Sequence, residues 1–298
     1  MRTLPDLVRA EWLKLTRRPL TRTLLAIFLA LLALQALVCA LAVVAESVGL
    51  VQLGGALGPE QMDEYRRRAM FPGIVGATFS HINGLGGVFA VVLAGAAMGS
   101  EYDWGTLRVQ LSRTPDRVAF LLAKVAALLL VLLSGMAITL AFGITLGWLL
   151  AALTGHGAGP DAATLGAIPL ALVRALYVLL PYVLLAVSLA TARRSLLFGV
   201  AGGLVYLVFE GGFGALTLFA ALGEPWRTLY TLTIGQNISA LTLVNGHAFG
   251  LRPESLSAAL HPELFPSPLR ATLVVAVYCA LFLAAAVRFI RRDVTPAA

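Results

Sequence analysis

The sequence predicts an all-α integral membrane protein forming one transmembrane domain over residues 1–298, and three observations lead there. Hydrophobic residues make up 59% of the chain and charged ones 12%, against about 45–50% and about 25% in soluble domains. The mean hydropathy is +0.88. Uncharged stretches recur that are long enough to cross a hydrocarbon core, which takes about 20 residues at about 1.5 Å each. Lys and Arg sit at the ends of these stretches rather than in one patch, so the formal charge of +7 reads as a topology signal and not as a nucleic-acid surface.

Taken in order, residues 1–22 read as an interfacial helix. Pro5 suits a first helical turn, and Pro19 ends the pattern. Val8, Trp12 and Leu15 fall on one side, with Asp6, Arg9, Lys14 and Arg17 largely off it, which places Trp12 at headgroup depth. Residues 23–45 form the first span. They are too long for the roughly 7–15-residue apolar region of a cleaved signal peptide. Residues 46–72 carry Glu60, Asp63, Glu64 and Arg66 to Arg68 and read as an outer loop. The second span, 76–99, has small residues spaced by four (Gly86, Ala90, Ala94; Gly95, Gly99), a spacing that lets helices approach closely in lipid.

A polar island then runs from Gly99 to Lys124. As a helix it places Trp104, Leu107 and Leu111 on one face and Arg108, Gln110 and Arg113 elsewhere, with Pro115 as the stop. Such an element can lie on a membrane surface or bundle and offer its polar side to a soluble partner.

The third span, 125–153, repeats small residues at Gly135, Thr139, Gly143 and Gly147, and residues 154–161 read as a turn-rich outer loop. The fourth span, 168–192, contains Arg174 and Pro181 and ends at Arg193 and Arg194. The fifth, 195–222, contains Glu210, followed by Gly211, Gly212 and Gly214. Glu210 reads either as a functional intramembrane acid or as a residue of the outer interface beyond a span that ends near Phe209. Between Glu224 and Pro268 the pattern fits short re-entrant or surface helices, and Asn237-Ile-Ser239 matches the glycosylation sequon, a pattern frequent by chance. Residues 269–287 form the sixth span, closed by Arg288, Arg291 and Arg292.

With both termini cytoplasmic, fifteen of the 22 Lys and Arg residues fall inside, in the N-terminal segment, the island, the Arg193-Arg194 turn and the C-terminus. This is the positive-inside bias. Cys39 and Cys279 lie within apolar runs and read as packing residues. The four histidines, His81, His156, His247 and His261, have no metal-site spacing. No phosphate-binding loop exists either, because Lys14 and Lys124 are the only lysines and neither follows a glycine-rich loop.

The run Glu101-Tyr102-Asp103-Trp104-Gly105-Thr106-Leu107-Arg108 followed by Ser112-Arg113-Thr114-Pro115, behind a basic helix with Glu11, Lys14 and Arg17 and among six spans, resembles the permease subunits of type-two ABC (ABC-2) exporters. The resemblance implies a non-enzymatic half of a pump in the plasma (inner) membrane. It also implies a coupling helix within Glu101 to Arg113 that docks on an ATP-binding subunit. Glu101 would anchor the loop, Gly105 would permit close approach, and Trp104 and Leu107 would fix the helix on the bundle, with Tyr102, Thr106 and Arg108 in the same set. Arg193 and Arg194 would add a smaller contact, and Glu11, Trp12, Lys14 and Arg17 would belong to the family's connecting helix. The implied partners are two ATP-binding subunits, a second permease of the same or a related kind, and the lipid bilayer. ATP and magnesium would be held by the ATP-binding subunits, and this chain would carry no cofactor. A charge reversal at Glu101 or a proline at Leu107 is expected to uncouple the pump with folding intact. The alternative from another class is a proton-coupled secondary carrier using Glu210 with Arg174. An intramembrane enzyme ranks below both, for want of a convergent catalytic constellation.

Overall fold

The computed structural model of the chain describes residues 3–47, 49, 58–113, 116–154, 162–215, 222–252 and 264–292, and every regular element among them is a helix. These are α1 (Leu4–Arg17), α2 (Pro19–Ser47), α3 (Pro59–Ala69), α4 (Gly73–Asp103), α5 (Thr106–Arg113), α6 (Arg117–Thr154), α7 (Ala162–Arg193), α8 (Leu196–Ala215), α9 (Trp226–Leu232), α10 (Ile234–Ala248) and α11 (Pro268–Ile290). The stop at Pro115, the loop at 155–161 and the last part of the predicted fifth span lie outside the described residues.

Five of the helices are long and apolar enough to cross a membrane: Pro19–Glu46, Gly73–Asp103, Arg117–Ala152, Ala162–Arg193 and Pro268–Ile290. This is the architecture of an all-α multi-pass membrane protein. In α8 the apolar stretch Leu196–Gly212 is shorter. Helical structure also overruns the predicted spans. α4 continues from Gly73 through Glu101 to Asp103, and α8 passes Phe209 and Glu210 without a break to Ala215. Both carboxylates therefore belong to long helices, because each finds its partners inside the bundle.

α4 is the axis of the bundle. Its apolar window is 72% buried, against 22% for α2 and for α11, and it packs on α6, α7, α8 and α10. Small residues make this possible. A Cβ on Gly95 would stand 2.6 Å from the Gly199 carbonyl carbon, and one on Gly99 would stand 2.2 Å from Leu196 Cα, so α4 and α8 meet backbone to backbone. In α6, Gly143 and Gly147 receive the side chains of Thr78 and Ile74, whereas a Cβ on Gly135 would meet nothing within 4 Å.

Contacts define two ends. At one, α1, α5, the start of α6, the α7–α8 turn and the end of α11 converge. Lys124 reaches Glu11, Asp103 accepts from the Leu196 N–H at 3.4 Å, and Arg117 Nη1 donates to the Arg292 carbonyl at 2.8 Å. At the other end Glu64 of α3 is fully buried. Arg67 and Arg68 pair with it at 3.3 and 3.1 Å, and the Arg252 N–H donates to it at 3.0 Å. Short helices precede α11 as predicted, and their junction is inserted into the bundle, where the Leu232 carbonyl accepts from Tyr278 and the Gly235 N–H meets Glu210. Asn237, the sequon residue, is fully buried and its amide donates to the Thr231 and Thr233 carbonyls, so it braces the α9–α10 turn.

Candidate functional site

The face of α1 buried against the bundle is Leu7, Glu11 and Leu15, while Trp12 is exposed. Hydropathy alone keeps a glutamate outside, but Glu11 turns inward because a cation from α6 meets it there. Lys124 is 1% exposed, and its ammonium donates to Glu11 Oε2 at 2.7 Å, Glu101 Oε1 at 3.1 Å and the Ala97 carbonyl at 3.3 Å. Three acceptors thus match its three protons. Lys14 pairs with Glu11 at 2.6 Å and with Glu101 at 3.1 Å, and Arg18 reaches Glu101 at 3.8 Å while donating to Ser100 Oγ at 3.1 Å. The two lysines of the chain and two carboxylates therefore tie α1, α4 and α6 together. Arg17 is exposed and stands outside this cluster.

Glu101 works on two sides. Its Oε1 faces the cations, while its Oε2 accepts from Thr106 Oγ1 and from Gln110 Nε2, the latter at 2.7 Å, both on α5. A carboxylate desolvated to this degree requires such saturation, since an unpaired buried charge is strongly unfavourable. The anchoring role implied for Glu101 thus has a geometric counterpart.

Between α4 and α5 the chain turns at Trp104 and Gly105. Gly105 has φ of 66° and its N–H donates to the Tyr102 carbonyl at 3.0 Å, a left-handed helix ending. A Cβ there would meet nothing within 4 Å. Within this chain, then, Gly105 is required for its backbone conformation, since no packing contact of its own depends on the missing side chain. The turn also separates Trp104 from the face of α5. Trp104 is 69% exposed with the Arg18 guanidinium 5.6 Å from its ring, while Leu107 is buried and Leu111 packs against the core. Leu107 alone of the predicted pair seats the helix. The side chain of Arg108 lies outside the described residues.

The α7–α8 turn adjoins this hinge. Arg194 ends α7 with φ of 53°, Arg193 lies over the Phe198 ring at 5.3 Å, and Asp103 caps the start of α8 through the Leu196 N–H. Tyr102, half-buried, sits beside Thr191, Arg194 and Arg117. Both predicted contact segments therefore occupy one end of the bundle.

Glu210 stands apart from this region. It is buried and accepts from Tyr182 and Tyr206 hydroxyls at 3.1 Å each and from the Gly235 N–H at 2.6 Å, at the first turn of α10. A Cβ on Gly235 would lie 3.0 Å from Glu210 Cγ, so glycine permits this approach. Arg174 is not among its partners. The carboxylate fastens α10 to α7 and α8, as anions do at helix N-termini.

Sequence reasoning missed Lys124 as the centre of the cluster, Arg18 as a further cation beside Glu101, and the two tyrosines of Glu210. The available signal was the scarcity of lysine: one of two lysines stands seven residues inside an apolar helix. Among the described residues no group of three or more His, Cys, Asp or Glu side chains is placed to hold a metal ion. Compared with known proteins, the chain matches no family model and no curated sequence.

Proposed function

We propose that the chain is the membrane-spanning subunit of an ATP-driven exporter and that α5 is the element through which a separate ATP-binding subunit moves it. The observation that carries this reading is the mounting of α5. It is a short helix on a glycine hinge, seated by Leu107 and held through Thr106 and Gln110 by Glu101, which the buried lysine joins to α1 and α6. A load applied to α5 thereby reaches three helices at once, as a rigid-body transition requires. The resemblance of Glu101 to Arg113 to the coupling segment of ABC-2 permeases supports the same reading. The Lys and Arg surplus at this end supports a cytoplasmic placement of it. On this view α8 completes six spans, with α9 and α10 re-entrant between the last two. Two such subunits, identical or related, pair over two ATP-binding subunits, in the plasma membrane.

The test is ATPase stimulation in vesicles holding the chain and its ATP-binding subunit. Trp104→Ala is expected to leave the fold intact and to reduce stimulation about tenfold, the effect of losing about 1.4 kcal/mol of contact. Unchanged stimulation in both Trp104→Ala and Gly105→Pro contradicts the assignment. The carrier reading predicts instead nucleotide-independent transport by the chain alone, lost in Glu210→Gln.

A further inference from the structure

We infer that the slot between α2, α4, α6 and α7 holds one acyl chain of an anionic phospholipid whose headgroup is bound by Arg22. The slot is a cavity of ≈ 270 Å³ walled by Leu24, Phe28, Phe89, Leu132, Met136 and Leu179, with Arg22 at one end. Along α4 it extends from Ile82 to Leu93, about 16 Å of helix. It is therefore long and narrow, the shape of a hydrocarbon chain lying parallel to the helices. Phe28 forms its back wall and is fixed edge-on by His81 at 4.6 Å and by Phe89 at 4.9 Å.

The lining selects for hydrocarbon. Its four hydroxyls bond to carbonyls of the protein: Thr16 to Trp12, Thr21 to Leu15, Ser134 to Val131 and Thr139 to Gly135. No donor from these groups faces a polar guest. Arg22 differs. It is exposed, its Nε donates to the Thr16 carbonyl at 3.4 Å, and no carboxylate among the described residues pairs with it. A guanidinium with free terminal nitrogens at the mouth of an apolar slot matches a phosphate in charge and in its bidentate geometry. The mouth lies at the basic end of the bundle, where anionic headgroups concentrate. The inference rests on membrane embedding and on the cytoplasmic placement of this end proposed above, and stands apart from the ATP-driven step.

The experiment is native mass spectrometry of the full chain in detergent with phosphatidylglycerol or phosphatidylcholine of identical acyl chains. Wild type is expected to retain phosphatidylglycerol about tenfold more than phosphatidylcholine, the difference one charge-assisted contact provides. Arg22→Gln is expected to reduce phosphatidylglycerol to the phosphatidylcholine level. Gly135 lines the slot and a Cβ there enters open space. Gly135→Leu, and Ser134→Phe as a second filler, are therefore expected to fold, checked by helical circular dichroism, and to lose both lipids. Equal retention of the two lipids by wild type, full retention by both folded fillers, or displacement of the lipid by millimolar inorganic phosphate alone overturns the inference.

Discussion

Glu11 and Lys124 are 113 residues apart in sequence and meet at 2.7 Å inside the protein. This ion pair fixes the N-terminal helix on α6, and Glu101 of α4 shares the same ammonium. Truncating Lys124 to Met removes the buried cation that Glu11 and Glu101 share and leaves them the half-exposed Lys14 as their common counter-charge. A loss of about 3–5 kcal/mol is expected, read as a lowered denaturation midpoint in detergent. Restoring apolar matching with Glu11→Leu and Glu101→Leu in the same chain is expected to recover much of it.

The burial of Glu101 changes what its reversal means. Glu101→Lys would gather four cations at one point, so folding is not expected to survive it, contrary to the expectation from sequence. Hinge substitutions separate coupling from stability better. Gly105→Ala forces an L residue to positive φ and is expected to cost about 1–2 kcal/mol. Gly105→Asn is expected to cost less, and thermal melts of the two variants give the comparison.

The glycines of α4 and α6 are not equivalent. Gly99→Ala pushes a methyl into the Leu196 backbone and is expected to cost about 1–3 kcal/mol. Gly135→Ala has open space and is expected to be neutral or stabilising. Equal melting temperatures for both variants would contradict the α4–α8 packing.

At Glu210, Ala leaves two tyrosine hydroxyls and the Gly235 N–H without their acceptor. A loss of about 1–3 kcal/mol per stranded group is expected, with faster hydrogen exchange in α9 and α10. Glu210→Gln keeps a carbonyl acceptor and is expected to fall between wild type and Glu210→Ala.

Most of the architecture was legible because lipid as solvent makes uncharged length a direct signal, and the span centres lie inside helices accordingly. Boundaries were less legible, since Glu101 and Glu210 look like interruptions until their partners are known. The buried face of α1 was not legible for the same reason: period and hydropathy give no cause to turn Glu11 inward, and only the arrival of Lys124 from a distant helix supplies one. Trp104 was assigned to the face of Leu107 because a continuous helix was assumed through Gly105, whose left-handed conformation breaks the register. Glycine spacing marked Gly95 and Gly99 correctly as contact positions, but the same spacing at Gly135 faces a cavity.

The most direct measurement is photo-crosslinking from Val109, an exposed position of α5, in the chain assembled in membranes with the proposed ATP-binding subunit. A crosslink from Val109 to that subunit, with Val109→Cys labelled by impermeant reagent only from the cytoplasmic side, is the expected result. An active assembly in which Val109 never crosslinks, or labels only from outside, contradicts α5 as the coupling element.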